Sequence, residues 1–291
     1  SAACSTENSC WREKTMNYRT RERFKYGAIY LALTLFVLLT LTPYFWLIVT
    51  SFKSRVDAFA IPPKIIFEPI WNNYKEAFID KAFLSNLKNS VIVTGFSTFL
   101  ALVIGLPSAY AFSRFPVKGD KVLFYYLLGT RFTPIVVLCL PLYIIMSKIG
   151  LLDSYPGIII AHVTFNLPFV VWMMKGFFDV IPREVDEAAI VDGCSWFFVF
   201  TRMALPIARS GLAATAVFCA VNSWNEFLMA LILTGRHTAT MPVAVPGLMT
   251  PQGTLWGQIA AVGTVITVPV LIFASTVQKH MVKGMTMGAI K

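Results

Sequence analysis

Residues 182–206 read PREVDEAAIVDGCSWFFVFTRMALP and lie between two long apolar runs. The stretch is too polar at its start to sit in lipid, and it reads as two short helices broken at a glycine. Pro182 suits the first turn of a helix, where its missing N–H would be unpaired anyway. Glu184, Asp186 and Glu187 then sit near the positive end of the helix dipole. Val185, Ala188 and Ala189 fall at i, i+3 and i+4, which predicts one small, apolar face that another protein surface can approach closely. Gly193 is a natural stop, because it takes the left-handed conformation without steric cost. Ser195 is placed to cap a second helix through Phe198 and Arg202. Pro206 disfavours further helix at Leu205.

Outward from this stretch the chain is apolar. Of its 291 residues, 56% are hydrophobic and only 14% charged, against roughly 25% charged in ordinary soluble domains. The mean hydropathy is +0.66. That composition predicts an all-α membrane protein. The net charge of +10 does not point to nucleic acid, because lysines and arginines lie between the apolar runs and not along one polar face. The cysteines are Cys4, Cys10, Cys139, Cys194 and Cys219. No CxxC occurs and none falls in a segment placed on the extracytoplasmic side, so neither a disulfide framework nor a zinc site is indicated.

Three segments are expected: an N-terminal cytoplasmic segment, 1–26; a six-span domain, 27–278; and a cytoplasmic tail, 279–291. Residues 1–15 look unlike the rest, and Met16 would serve well as a start, so an upstream, disordered extension is expected there. The spans run from about Gly27 to Val49, Val91 to Phe112, Val122 to Met146, Ile158 to Phe178, Gly211 to Leu233 and Trp256 to Val277. Each is long enough for ~30 Å of hydrocarbon. Residues 51–86, with Pro62, Pro63 and Pro69, form an exposed segment with a short amphipathic helix near Trp71–Phe78. Six spans put both termini on one side. Sixteen lysines and arginines fall on that side, in the N-terminal region, the 113–121 turn, residues 175–209 and the tail, against eight opposite. That bias places the termini and the 182–206 loop in the cytoplasm.

Glu187-Ala188-Ala189, Gly193, Met203 and Leu205-Pro206, at their spacing, resemble the EAA loop of permease subunits of bacterial binding-protein-dependent ABC importers. Isoleucine is usual where Met203 stands. The SFK, IPPK and NNY segments and Asn89-Ser90, together with Ile149–Tyr155, Phe165–Phe169, Ser223–Phe227 and the terminal GAIK, look like the carbohydrate-uptake branch. The chain is similar in kind to the smaller, six-span permease of the maltose importer. The resemblance implies that Glu187, Ala188, Ala189, Gly193, Leu205 and Pro206 form a coupling helix docking on an ATPase dimer, which carries the ATP and magnesium. It also implies a second permease of six to eight spans, an extracytoplasmic substrate-binding protein, a carbohydrate substrate and residence in the bacterial inner membrane. In that type the C-terminal tail, here Met285–Lys291, reaches into the ATPase interface, although the usual final glycine is absent.

Ionisable and amide residues inside spans usually face protein or water. Arg131 lies in the third span and Glu226 in the fifth; they either pair across the bundle or line a cavity, and Arg131 can also pair with carbonyls. Asn222, Asn225, Glu226 and Met229 occupy i, i+3, i+4 and i+7, which predicts one helical stripe. The fourth span carries His162, Thr164 and Asn166, with Pro168 freeing a carbonyl. One reading is a translocation path in which amides, a carboxylate and rings suit sugars. The other is helix–helix glue, at ~0.6 kcal/mol for each buried polar contact. No P-loop, HExxH, Rossmann fingerprint or catalytic-triad pattern is present, so no enzyme is expected and no cofactor on this chain. The competing transport reading is an ion-gradient-driven secondary transporter using Arg131 and Glu226 as a relay. An intramembrane enzyme centred on Glu226, with His162 as base, is a third.

Overall fold

In a computed structural model, residues 3–80, 83–115, 118–251 and 253–287 are described, with side chains from residue 22 to residue 276 apart from a few positions. The side chains of Cys4, Cys10 and the basic residues before Glu22, and those of the tail from Val277 on, lie outside the described residues. Helix α1 spans Ala3–Ser51, α2 Arg55–Ala58 and α3 Asn72–Lys75, followed by a π-helical turn. Helix α4 is Phe83–Arg114, α5 Asp120–Phe132, α6 Ile135–Lys148 and α7 Tyr155–Asp179. The stretch that opened the sequence reading folds as α8 (Arg183–Val191), α9 (Trp196–Val199), a π-helical turn Phe200–Ala204 and α10 (Leu205–Ile207). Then come α11 (Arg209–Asn225), α12 (Leu228–Leu233), α13 (Met241–Ala244), the two-residue hairpin strands β1 (Met249–Thr250) and β2 (Gly253–Thr254), and α14 (Trp256–Met287).

Among the described residues, four helical stretches are long and apolar enough to cross a membrane: Phe24–Ser51, α4, α7 and Trp256–Thr276. Two bent pairs raise this to as many as six if each is one span. The first is α5 with α6, bent by 97°, where a single straight run was expected over Val122–Met146. Thr133 and Pro134 are both extended there (ψ 126° and 131°). A proline pushes its predecessor out of helical space, and that local preference wins over continuous apolarity. The second joins Trp196–Ile207 to α11 at 82°, so the fifth apolar run is entered from the polar loop itself. It also breaks again, because Glu226 is extended (φ −69°, ψ 128°) between α11 and α12.

The most extensive helix pair is α4 on α7. Gly105 makes it possible: a Cβ there would stand 2.6 Å from Val170 Cγ1, so only a glycine lets the two backbones come this close. At one end of the pair, Tyr110, Met174, Phe178 and Phe200 form a core with Ala204 and Ala208. Nearer the other end, Val93, Cys139, Met146, Ile158, Met229 and Leu233 pack together. A third cluster, Ala77, Phe83, Met241, Leu248 and Val262, closes the far end. Helix α1 packs on α14 and leaves its large apolar side chains, from Tyr30 to Trp46, on the outside.

Candidate functional site

The loop geometry follows the local chemistry of 182–206. Pro182 precedes α8 as its cap residue, one position before the first-turn place expected. The helix stops as read: Gly193 has φ +83°, Cys194 N–H donates to Ala189 O at 3.0 Å and Gly193 N–H to Ile190 O at 3.0 Å. Only a left-handed residue closes that pattern cheaply. Ser195 Oγ then accepts from Phe198 N–H at 3.3 Å, capping α9. The expected stop at Leu205 is not found. Leu205 is helical and Pro206 lies inside α10, because the preceding π-helical turn opens the ladder just where the ring has no N–H to give.

The faces of α8 differ from the sequence reading. Ala189 is buried and Val185 half-buried within the chain, so the apolar face packs inward onto the Tyr110–Phe178 core. Glu184, Glu187, Ala188 and Val191 are outward, with Val191 86% exposed. Phe197 of α9 extends this outer surface. Asp186, read as one more dipole-facing carboxylate, is 2% exposed and paired with Arg114 at the end of α4. Arg114 Nε donates to Asp186 Oδ2, Nη2 to the Ile181 carbonyl at 2.9 Å and Nη1 to Ser113 Oγ at 3.3 Å. Ser113 Oγ donates to Asp179 Oδ1 at 2.7 Å, and Lys175 holds the other Asp179 oxygen at 2.6 Å. The ends of α4 and α7 and the start of α8 are thus tied by one ionic network. Nothing in the sequence joined Arg114 to Asp186; each had a sufficient local explanation.

The intramembrane polar residues divide into two sets. Asn166 is buried, and its Nδ2 donates to Ser223 Oγ at 2.8 Å; Ser223 Oγ lies 3.0 Å from Ser97 Oγ, linking α7, α11 and α4. Glu226 is also buried and accepts from the N–H groups of Met229 (2.7 Å) and Ala230 (2.9 Å), capping α12, with His162 Nε2 at 3.5 Å. Met229 is buried against Cys139, sulfur to sulfur at 3.7 Å. By contrast Asn225 is exposed and Asn222 and Arg131 are half-buried. The predicted stripe therefore does not exist, because the chain leaves helical geometry at Glu226 and turns that carboxylate inward. Nor do Arg131 and Glu226 pair. Arg131 donates to the Phe165 carbonyl at 3.3 Å and lies 5.6 Å from the Phe169 ring centroid.

At the end of the bundle away from α8, the loop after α12 is pinned by a second polar cluster. Asp153, before α7, accepts from the N–H of Gly235 (2.8 Å) and Thr238 (3.0 Å) and from Thr238 Oγ1 (2.8 Å). Partial burial pushes its carboxyl up, but the Thr238 hydroxyl and the Gly235, His237 and Thr238 N–H groups outweigh this and hold it at about 2. Asn89 Nδ2 donates to the His237 and Ala239 carbonyls, each at 3.0 Å, while Tyr155 Oη donates to Asn89 Oδ1 at 2.7 Å. Asn89 and the Ile149–Tyr155 motif thus contact one another and position a loop, a role the sequence did not reveal.

Known proteins share this architecture. Residues 101–287 match the family described as binding-protein-dependent transport system inner membrane component. A probable ABC transporter permease protein of Sinorhizobium fredii is 38% identical over 251 residues, covering 86% of this chain and 90% of that protein. The trehalose/maltose transport system permease protein of Thermococcus litoralis is 32% identical, covering 91% and 95%. Among solved structures, a bacterial ABC transporter involved in the import of the acidic polysaccharide alginate superposes with a TM-score of 0.74 at 22% identity, covering 88% of this chain and 96% of that one. The resemblance to permease subunits of bacterial ABC importers is thereby borne out, and the chain belongs to the binding-protein-dependent transport system inner membrane component family.

Proposed function

We propose that this chain is the permease subunit of an ATP-driven, binding-protein-dependent sugar importer. It would form half of the path and couple to an ATPase dimer through the outer face of α8 and α9. The observation that carries the coupling is the two-sided build of α8. Asp186 and Ala189 anchor it to the bundle, while Glu184, Glu187, Ala188 and Val191 remain outside the chain's own core. Sugar as substrate class is supported by relatives named for trehalose/maltose and diacetylchitobiose. The bent pairs support six spans, and the sixteen-to-eight distribution of basic residues supports cytoplasmic termini. The pinned loop 235–255 and residues 51–86, at the other end, offer the surface for an extracytoplasmic binding protein. ATP and magnesium would reside on the ATPase, and a second permease would complete the path.

Of the path candidates, Asn222, Asn225 and Arg131 keep surface accessible to a second permease or substrate. Asn166, Glu226 and Met229 act in this conformation as internal supports. An ion relay is not favoured, since Arg131 and Glu226 are committed to a carbonyl and to a helix cap. The test is gentle detergent extraction at native expression, with mass spectrometry of co-purifying subunits. An ATPase and a second permease are expected, and Glu187→Lys should lose the ATPase while remaining in the membrane. A homo-oligomer with neither partner refutes the proposal.

A further inference from the structure

At the end of α1 a lysine is buried without a hydrogen-bond acceptor. Lys53 is 2% exposed. Its Nζ lies 4.3 Å from the Trp46 ring centroid and 5.3 Å from that of Phe67. An ammonium carries three donors, and among the described residues no oxygen accepts from this one. Cation–π contact recovers part of the lost hydration, but a buried charge ordinarily keeps a counter-charge or hydrogen-bond partners.

Lys53 also lines a cavity of about 330 Å³ between α1 and α14. Pro43, Leu47 and Ile259 make one part apolar, while Thr50, Lys53 and Asp57 make another polar. Trp46 and Trp256 line it as well, near the ends of their two membrane-crossing stretches. Tryptophan at such positions marks headgroup depth. Asp57 gives the lysine no hydrogen bond, because its carboxylate is already held by Lys64 Nζ at 2.6 Å and Ser54 Oγ at 2.8 Å. Lys64 first, then Ser54 and, last, the charge of Lys53 keep the Asp57 carboxyl below the usual carboxylate range. Lys53 thus lines the cavity with an ammonium that has weak counter-charge and no hydrogen-bond acceptor among the described residues.

We propose that this cavity binds a phosphate oxyanion through Lys53, as the phosphodiester of an anionic phospholipid or as free phosphate. A phosphate oxygen supplies the acceptor that the ammonium lacks, as a charge-assisted hydrogen bond. A glycerophospholipid also matches the graded lining, with its head at Thr50 and Lys53 and its chains along the apolar part beside the uncovered face of α1. The inference does not depend on the transport reading, because it rests on the cavity and its lysine alone.

The experiment uses the delipidated full-length protein in its extracted assembly, titrated separately with dioleoylphosphatidylglycerol, dioleoylphosphatidylcholine and inorganic phosphate. Binding is read by thermal shift and native mass spectrometry. Phosphatidylglycerol should bind with Lys53→Arg close to wild type, and Lys53→Met should weaken it about tenfold or more, as expected when a hydrogen bond to a charged group is lost. A response to phosphatidylglycerol alone identifies a lipid headgroup; an equal, Lys53-dependent response to inorganic phosphate identifies a free anion. If Lys53→Met does not fold, a photoactivatable phosphatidylglycerol on the wild type takes its place, with label expected on peptides containing residues 43–63 or 256–260. No response to either anion, an unchanged response in Lys53→Met, or label spread evenly over the apolar surface overturns the proposal.

Discussion

Replacing Arg114 by methionine should separate the energetic role of the α4–α8 ion pair from its shape. The substitution keeps an unbranched stem against Tyr110 and removes every donor. Arg114 is 8% exposed and Asp186 2%, so the carboxylate left behind cannot turn to water without moving α8. Asp186 Oδ1 already has no hydrogen-bond partner, and the substitution orphans Oδ2 as well. Removing one member of a buried pair costs ~3–5 kcal/mol, most of it the penalty of the stranded charge. With ~2–4 °C of Tm per kcal/mol in chains of 150–250 residues, the shift should be on the order of 10 °C. Asp186→Leu in the Arg114→Met background removes the stranded charge and should restore most of the loss, since a packed apolar pair is often as stable as a buried ionic one. The two readouts are thermal unfolding of the purified assembly and uptake measured per ATP hydrolysed. With α8 unpinned, the proposed coupling predicts that an assembly carrying Arg114→Met consumes ATP with poor uptake. If Arg114→Met melts within a degree or two of wild type, or if the double variant is no better than the single, the stranded-charge argument is wrong.

The remaining expectations are smaller in scope. Asp153→Asn should abolish a pH dependence: the folded carboxyl, at about 2 against an ordinary 3.8, contributes stability above pH ~4 that is lost as pH falls towards 2. Melting curves between pH 2 and 6 should therefore fall in wild type and stay flatter in the variant. Gly105→Leu forces atoms onto Val170 and should destabilise by ~1–3 kcal/mol, read as a lowered Tm; an unchanged Tm would mean α4 and α7 can separate freely. Ser223→Ala breaks the link between Asn166 and Ser97 and should cost ~0.6 kcal/mol, a shift of a degree or two. Asn225→Ala, on an exposed residue, should lower uptake more than assembly; a lower Tm with unchanged uptake per complex would assign it to packing instead.

The polar loop was the most legible part of the chain because its determinants are local. Gly193 and Ser195 act through backbone geometry within five residues, and both behave as read. The α5–α6 break was legible in principle, since Pro134 stands in plain view, but continuous apolarity outweighed it in a reading based on span length. The break at Glu226 was not legible: no glycine or proline marks it in SWNEFLM, and the carboxylate itself makes the break by accepting the N–H groups of Met229 and Ala230. A helical stripe was a sound inference from spacing and failed because one side chain found better acceptor geometry than the helix offered. The Arg114–Asp186 pair, 72 positions apart, lay beyond any local pattern.

The distribution of these contacts bears on how motion at α8 would travel. Helix α8 is bound to α4 by Arg114 and to the end of α7 through the same network. Helices α4 and α7 are locked along their length by close packing at Gly105 and, further along, by Ser97, Ser223 and Asn166. At the far end Asn89 of α4 and Asp153 before α7 both hold the loop after α12. Each link is buried, short or multiple, so bending the assembly internally would strand polar groups at a cost of ~1–3 kcal/mol apiece. A displacement imposed on α8 is therefore cheaper to pass on as movement of the whole α4–α7 body than to absorb within it. Helix α1 shares none of these ties and rests mainly on α14. The seam between that body and its neighbours, and not its interior, is where a change of access would open.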